Sequence, residues 1–421
     1  MAEPVKLIII GAGGRGTGYS ELVKNINDRA KVVGVAEPRE FFRERIAKDH
    51  QIPRENVFNS WEDVVKVPKF ADAVIICTQD YMHVEPAVQF AEMGYHILLE
   101  KPMAPTAEGC RQIVEAVRKA KVKFGVCHVL RYTAFTRKLK ALLAKGTIGD
   151  IVSIQHLEPV GHWHQCHSFV RGNWRNEAES SFMLLAKCCH DIDWLRYVMN
   201  KPCAQIQSFG SLHHFRSECQ PEGAADRCVD CPADIESYCP ASALKIYFRD
   251  RMAKGLIGWP TDVITTDLSP AGVTKALKEG PYGRCAYKCD NNVVDHQVVN
   301  MQFTDGSTAS MTMTAFCNEG GRQTRIFGTK GSIVTDSRMI HVTNFLTGEV
   351  TTIDTEVAND GGILSGHGGG DGGIIDSFVR ALETGDDSHI LTGLDETLES
   401  HLMVFAAEES RRQNQVLAIE K

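Results

Sequence analysis

Several groups of residues have the types and spacing that chemistry needs. The run LIIIGAGGRG at 7–16 carries an apolar, strand-like segment into G-x-G-x-x-G, with Gly11, Gly13 and Gly16 at the motif positions. Gly11 permits a tight strand-to-helix turn, Gly13 lets a pyrophosphate approach the backbone, and Gly16 lets the next helix pack on the strand. Gly14 and Arg15 open that helix, whose free N–H groups favour phosphate oxygens. A second strand-like run, 31–36, ends in Glu37. A carboxylate at that distance from the glycines accepts from ribose hydroxyls and repels a 2′-phosphate, so it favours NAD over NADP. Arg39 weakens that preference, because an arginine there accepts the phosphate.

Glu100-Lys101-Pro102 follows another strand-like run. The proline fixes the local backbone and can hold the peptide cis, leaving the Lys101 ammonium to point into a cleft and bond a substrate hydroxyl. The segment EPVGHWHQCHSFVRGNWR at 158–175 concentrates His162, Trp163, His164, His167, Arg171, Trp174 and Arg175. Aromatic faces beside imidazole and guanidinium groups suit a carbohydrate, which offers C–H faces and hydroxyls together. An arginine pair suits an acidic sugar. Three histidines in six positions also keep a metal site open. Arg131, Tyr132 and His367 are expected to line the same cleft.

Cys228, Cys231 and Cys239, spaced C-x2-C-x7-C, have the look of a thiolate zinc knuckle. Cys285 is the preferred fourth ligand, because joining two distant segments would staple an insertion without its own core; Cys219 and Cys289 are alternatives. Tetrahedral thiolate coordination also suits an iron–sulfur cluster, and ordinary reduced cysteines are the remaining reading. A structural zinc is expected here.

The elements that must hold these groups divide the chain. Up to about residue 130, near-continuous apolar strands at 5–10, 31–36, 71–78, 95–100 and 123–129 alternate with amphipathic helices. That pattern predicts a doubly wound parallel sheet covered on both faces, a Rossmann α/β domain over 1–130. Thr78, His83 and Glu100 fall just past strand ends, where such sheets bind ligands. From residue 151 the period changes to two, and VVNMQF and TASMTMTAF flank Asp305-Gly306, a strong hairpin signal. The expectation for 131–421 is an α+β domain with an open, mainly antiparallel sheet and a Cys-rich insertion at about 211–290. Helices over 180–199, 372–383 and 394–412 should cover one face. The other face, partly apolar, calls for a homo-oligomer.

With 421 residues, 43% hydrophobic, 24% charged and a net charge of −7, the composition points away from nucleic acid and anionic membranes. No run approaches the ~18 apolar residues of a membrane span. The N-terminus enters the first strand directly, so a cytoplasmic protein with reduced thiols is expected.

GAGGRG at 11–16, Thr78 and His83 in a T-x-x-x-x-H position, EKP at 100–102 and CHDID at 189–193 together resemble the Gfo/Idh/MocA (glucose-fructose oxidoreductase and inositol dehydrogenase) family over nearly the whole chain. The resemblance implies a nicotinamide-dependent dehydrogenase of sugars or polyols. Lys101 would contact the reacting hydroxyl, and His190 would exchange a proton as hydride moves to C4 of the nicotinamide. One departure stands out: Ala186 occupies the place of an aspartate found in inositol-dehydrogenase-like members, with Lys187 beside it. Lys187 and His190, three apart, would share a helix face, where neighbouring cations disfavour the charged lysine. Lys187 is then either a third acid–base group or an anchor for an anionic group or the ribose. Two other functions stay open. One is an NAD-dependent glycoside hydrolase working through transient C3 oxidation and elimination, with Lys187 or the histidines at 162–167 as the extra base. The other is a non-catalytic dinucleotide-binding sensor, against which Lys101 and His190 argue.

Overall fold

The computed structural model describes residues 3–318, 320–355 and 368–419. Strands β1 (Val5–Ile10), β2 (Ala30–Ala36), β3 (Val57–Phe58), β4 (Ala73–Ile76), β5 (His96–Leu99) and β6 (Phe124–Val126) form one parallel sheet in the order β3-β2-β1-β4-β5-β6. β1 is buried everywhere except Lys6, and β4 is buried throughout. Helices therefore cover both faces, as the continuous apolar runs require. The strand order reverses between β1 and β4, and a crevice for ligand opens at such a reversal.

The second sheet has nine strands: β7 (Ile151–Pro159), β8 (Cys203–Ser211), β9 (His296–Phe303), β10 (Thr308–Thr314), β11 (Gln323–Gly328), β12 (Gly331–Thr335), β13 (Met339–Asn344), β14 (Val350–Asp354) and β15 (Leu417–Ala418). Their order is β14-β13-β12-β11-β7-β10-β9-β8-β15. β7 and β10 run parallel at the centre, and every other pairing is antiparallel. Asp305-Gly306 turns the β9–β10 hairpin as expected, with Gly306 at φ +87°. The inward residues Ile154, Val299, Met301, Met311, Ile326 and Ile333 pack under Ile192, Leu195, Met403 and Val404.

Three expectations need correction. The helix expected over 180–199 is two helices, Met183–Ala186 and Cys189–Met199, separated by Lys187 and Cys188. The helix Gly370–Thr384 does not cover the second sheet. Its apolar stripe of Ile374, Ile375, Phe378 and Val379 packs into the first core against Leu7, Tyr19 and Val23, and Arg29 fixes its outer side through Asp376 and Glu383. The chain thus returns to its first domain near its end. The insertion, finally, has a core of its own: Phe215, Ile246, Tyr247, Val273 and Leu277 pack against Cys166 and Val170.

Candidate active site

At the end of β1 the glycine loop has the shape a dinucleotide needs. Gly11 sits at φ +87°, and a Cβ there would lie 2.7 Å from the Cys77 carbonyl oxygen. A Cβ on Gly16 would lie 1.9 Å from the Gly11 carbonyl oxygen, so helix and strand meet at glycine-only distance. Above Gly13 the space is open, with only the Arg39 side chain at 3.6 Å. That opening, beside the N-terminus of the helix Gly14–Lys24, fits a pyrophosphate.

Glu37 is buried, and its Oε2 accepts from the Ala12 N–H at 2.8 Å. The Arg39 guanidinium and backbone N–H also donate to it, at 2.7 and 3.0 Å. Burial alone would raise the Glu37 carboxyl, but these donors outweigh it and hold it below the ordinary carboxylate value. Arg39 thus comes with its counter-charge attached.

Arg15 behaves differently from the expectation. Its guanidinium is taken up by Glu100 at 2.7 Å, by Tyr19 and by Asp371, so it joins the glycine loop, the EKP segment and the C-terminal helix. Any contact of residue 15 with phosphate falls to its backbone. Glu100 also accepts from Tyr19 Oη at 2.7 Å and from the Lys101 N–H at 2.9 Å. Burial pushes the Glu100 carboxyl up, and Arg15 and Lys101 bring it below its usual value. His83 is fully buried, with Nδ1 2.7 Å from the Pro102 carbonyl and Nε2 3.2 Å from the Thr78 carbonyl. It ties two strand-end loops together instead of facing a cofactor. Thr78 also bonds the Met82 carbonyl through its hydroxyl.

The Lys101–Pro102 peptide is cis. Lys101 Nζ donates to the Ala186 carbonyl at 3.2 Å, reaching the segment that leads into the helix of His190. The His190 ring stands edge-on to His128, 5.7 Å between centroids. Burial pushes His128 down to about 3 despite Asp193 beside it, so His190 faces a neutral neighbour. A third ring, His401, lies 5.3 Å from His128. Its Nε2 accepts from the Met103 N–H at 2.9 Å, and its Nδ1 lies 2.8 Å from the Thr397 carbonyl. His128, His401 and Asp193 carry no spacing that marks them in the sequence; they meet only through the fold.

Lys187 does not share a helix face with His190, because the chain breaks between them. Its ammonium pairs with buried Glu158 at 3.2 Å. Arg322 bridges Glu158 and Asp191, and a ring nitrogen of His156 lies 3.0 Å from Asp191. The missed signal was Glu158, an acid at the end of a central strand.

Several residues expected in the cleft are elsewhere. Arg131 is fully buried and forks onto Asp193 with two 2.7 Å bonds. The Tyr132 hydroxyl is enclosed by Thr392 and the Leu391 N–H. Arg171 is buried beside Cys228, bonded to the Arg284 and Ala241 carbonyls. Trp174 packs against the second core near Phe169. His367 lies outside the described residues. His162, Trp163 and His164 do remain at a half-buried surface. Trp163 and His164 meet Trp259 of the insertion at 5.1 and 5.0 Å, and Arg251 lies over Trp163 at 3.8 Å. His167 is buried under Tyr282 and bonded to Tyr247.

The zinc expectation is not met. Cys228, Cys231, Cys239 and Cys285 line one cavity, but among the described residues no three His, Cys, Asp or Glu side chains are arranged to hold a metal ion. A zinc site needs sulfurs at ~2.3 Å from one point, and these four line a cavity without forming such a group.

Residues 5–128 match an oxidoreductase family with an NAD-binding Rossmann fold, and residues 140–419 match that family's C-terminal alpha/beta domain. The chain is similar to a 2,7-anhydro-N-acetylneuraminate hydratase of Escherichia coli, 29% identical over 211 residues, covering 49% of this chain and 54% of that one. It is also similar to a myo-inositol 2-dehydrogenase of Thermotoga maritima, 25% identical over 210 residues, covering 49% and 59%. The chain thus spans little more than half the length of these relatives. Among solved structures, an oxidoreductase of Agrobacterium radiobacter in complex with NAD+, L-tartaric acid and magnesium shares the fold, with a TM-score of 0.71 at 14% identity and 99% of both chains covered. No helix among the described residues is long and apolar enough to cross a membrane.

Proposed function

The chain belongs to the Gfo/Idh/MocA oxidoreductase family, and on that premise we propose that it is an NAD-dependent dehydrogenase acting on a secondary alcohol of a sugar or polyol. The observation that carries the reading is the 3.2 Å bond from Lys101 Nζ to the Ala186 carbonyl. It brings the EKP ammonium to the segment leading into the helix of His190, beyond the carboxyl ends of the parallel strands. Lys101 bonds the substrate oxygen and stabilises the negative charge that grows on it. His190 exchanges the hydroxyl proton, helped by a neutral His128 that does not oppose its protonation. Bound nicotinamide supplies the hydride acceptor. Glu37, already paired with Arg39, holds the adenosine ribose and favours NAD. Trp163, His164 and Trp259 offer faces for the sugar's C–H surface. The exposed apolar positions on the open sheet support a second copy of the chain as its cover.

A redox-neutral course, in which transient oxidation enables elimination and addition of water, is favoured by the relative named a hydratase and by the Lys187–Glu158 pair as an additional acid–base couple. Incubation with NAD and a panel of sugars, polyols and glycosides, following NADH and products together, separates the readings. Net NADH supports the dehydrogenase, and a converted sugar without net NADH supports the redox-neutral course. Bound NAD with neither sinks both and leaves a sensor.

A further inference from the structure

Arg171 is a buried cation, 1% exposed, with no carboxylate partner among the described residues. Its Nε and Nη2 donate to the Arg284 and Ala241 carbonyls, Nη2 lies 3.6 Å from Cys228 Sγ, and Nη1 is buried with no partner. A guanidinium in this state is unfavourable unless an anion compensates it. Among the described residues around it, Glu236 is taken by Arg249, which leaves the cysteines, once ionised, and whatever they then hold. Arg171 lines the same cavity as Cys228, Cys231, Cys239 and Cys285.

The cavity is prepared rather than accidental. Arg227 and Arg284 form an isolated antiparallel bridge, and the Cys285 N–H donates to the Asp226 carbonyl at 2.8 Å. The backbone therefore pins Cys285 beside Cys228. Gln220 Nε2 lies 3.9 Å from Cys285 Sγ, a second donor turned toward sulfur. Glu236 also borders the space, but Arg249 and Ser242 occupy its carboxylate. The centre of a water molecule can move through about 20 Å3 of the cavity. Adding the ~1.4 Å radius of water gives a void on the order of 100 Å3, well above the ~30 Å3 share of one water in the liquid.

We propose that Cys228, Cys231, Cys239 and Cys285 ligate a [4Fe–4S] cluster, with Arg171 donating to its sulfur atoms. A cubane cluster does not require three side chains to meet on one ion. Each iron takes a single cysteine sulfur and completes its shell with inorganic sulfide, so the four thiolates stand apart around a core. The cluster is an anion rich in acceptor sulfur, which answers both the uncompensated charge of Arg171 and its unpaired Nη1. It also fastens two distant parts of the insertion to the segment 165–171. The assignment is independent of the hydride-transfer reading.

The test is preparation of the full chain without oxygen from iron-supplied cells, followed by iron and acid-labile sulfide analysis and electron paramagnetic resonance after dithionite reduction. Expected are about four irons and four sulfides per chain and a signal from a reduced cluster. Cys228→Ala combined with Cys231→Ala should lose both, while Cys289→Ala keeps them. Arg171→Gln should move the reduction potential downward and Arg171→Lys less so, since removing a cation beside the cluster disfavours its extra electron. Iron-edge X-ray absorption of the unaltered protein reads Fe–S and Fe–Fe distances without any variant. Zinc as the only metal would overturn the proposal. So would four freely titratable thiols that persist after anaerobic reconstitution with ferrous iron and sulfide.

Discussion

Lys101 and His190 stand out in the sequence because their signals are local: a lysine fixed by the next proline, and a histidine in a short motif. On the proposed reading, changing either would remove a contact with the reacting atoms. Lys101→Met and His190→Asn should each lower kcat/KM by roughly 10²–10⁴ while NAD still binds by calorimetry; loss of less than threefold would refute their roles. Glu37 makes a second prediction. Glu37→Ala frees the Arg39 guanidinium and removes the acceptor of the Ala12 N–H. The ratio of NAD to NADP affinity should fall at least tenfold, and an unchanged ratio would mean the ribose is held elsewhere. Arg131 shows the limit of such reading. An arginine past a strand end looks the same whether it faces a cleft or forks onto a buried acid, and its partner Asp193 is invisible until the chain folds.

The elements were legible wherever their period was clean, as in five of the six parallel strands and the Asp305-Gly306 hairpin; β3, two residues long, carries no such period. The break after Ala186 was not, since LLAKCCHDID continues a helical pattern straight through it. What bends the chain there is tertiary: Lys187 turns to Glu158 at the end of β7, and Lys101 holds the Ala186 carbonyl. The helix Gly370–Thr384 was misassigned for a related reason, because an apolar stripe in the sequence does not say which core it enters, and Arg15 and Arg29 hold this one on the first. The helix Leu394–Gln413 reaches the EKP loop through His401. His401→Leu leaves the buried Met103 N–H without an acceptor and should cost about 1–3 kcal/mol in urea unfolding. Because that N–H positions the loop of Lys101, kcat should also fall while the affinity for NAD holds. Unchanged stability and kcat would show that the bond does not organise the loop.

At the scale of the whole molecule, the open sheet leaves Val152, Phe327 and Val334 exposed on adjacent strands. If a second copy covers them, the protein sediments as more than its 46.6 kDa monomer, and Val334→Glu shifts it toward the monomer. The wild type sedimenting as a monomer would remove that reading. A pH dependence follows from the buried rings. Burial pushes His128 and His167 down to about 3, whereas an unfolded histidine titrates near ~6.5. Between those values the unfolded chain binds more protons, so stability falls as pH falls, by about 2 kcal/mol per ring from pH 7 to 5. His401, lowered by its own burial, acts in the same direction. Asp193 and Glu100 are lowered against their burial, chiefly by Arg131 and Arg15. Their contribution is complete above the unfolded carboxylate range near ~4 and is lost only below it. The loss between pH 7 and 5 therefore belongs to the histidines. Urea unfolding at both values should show it, and His167→Gln, which keeps a polar partner for Tyr247, should flatten it by about one ring's share. A wild-type stability that is level from pH 7 to 5 would mean these rings titrate in the fold as they do in the unfolded chain.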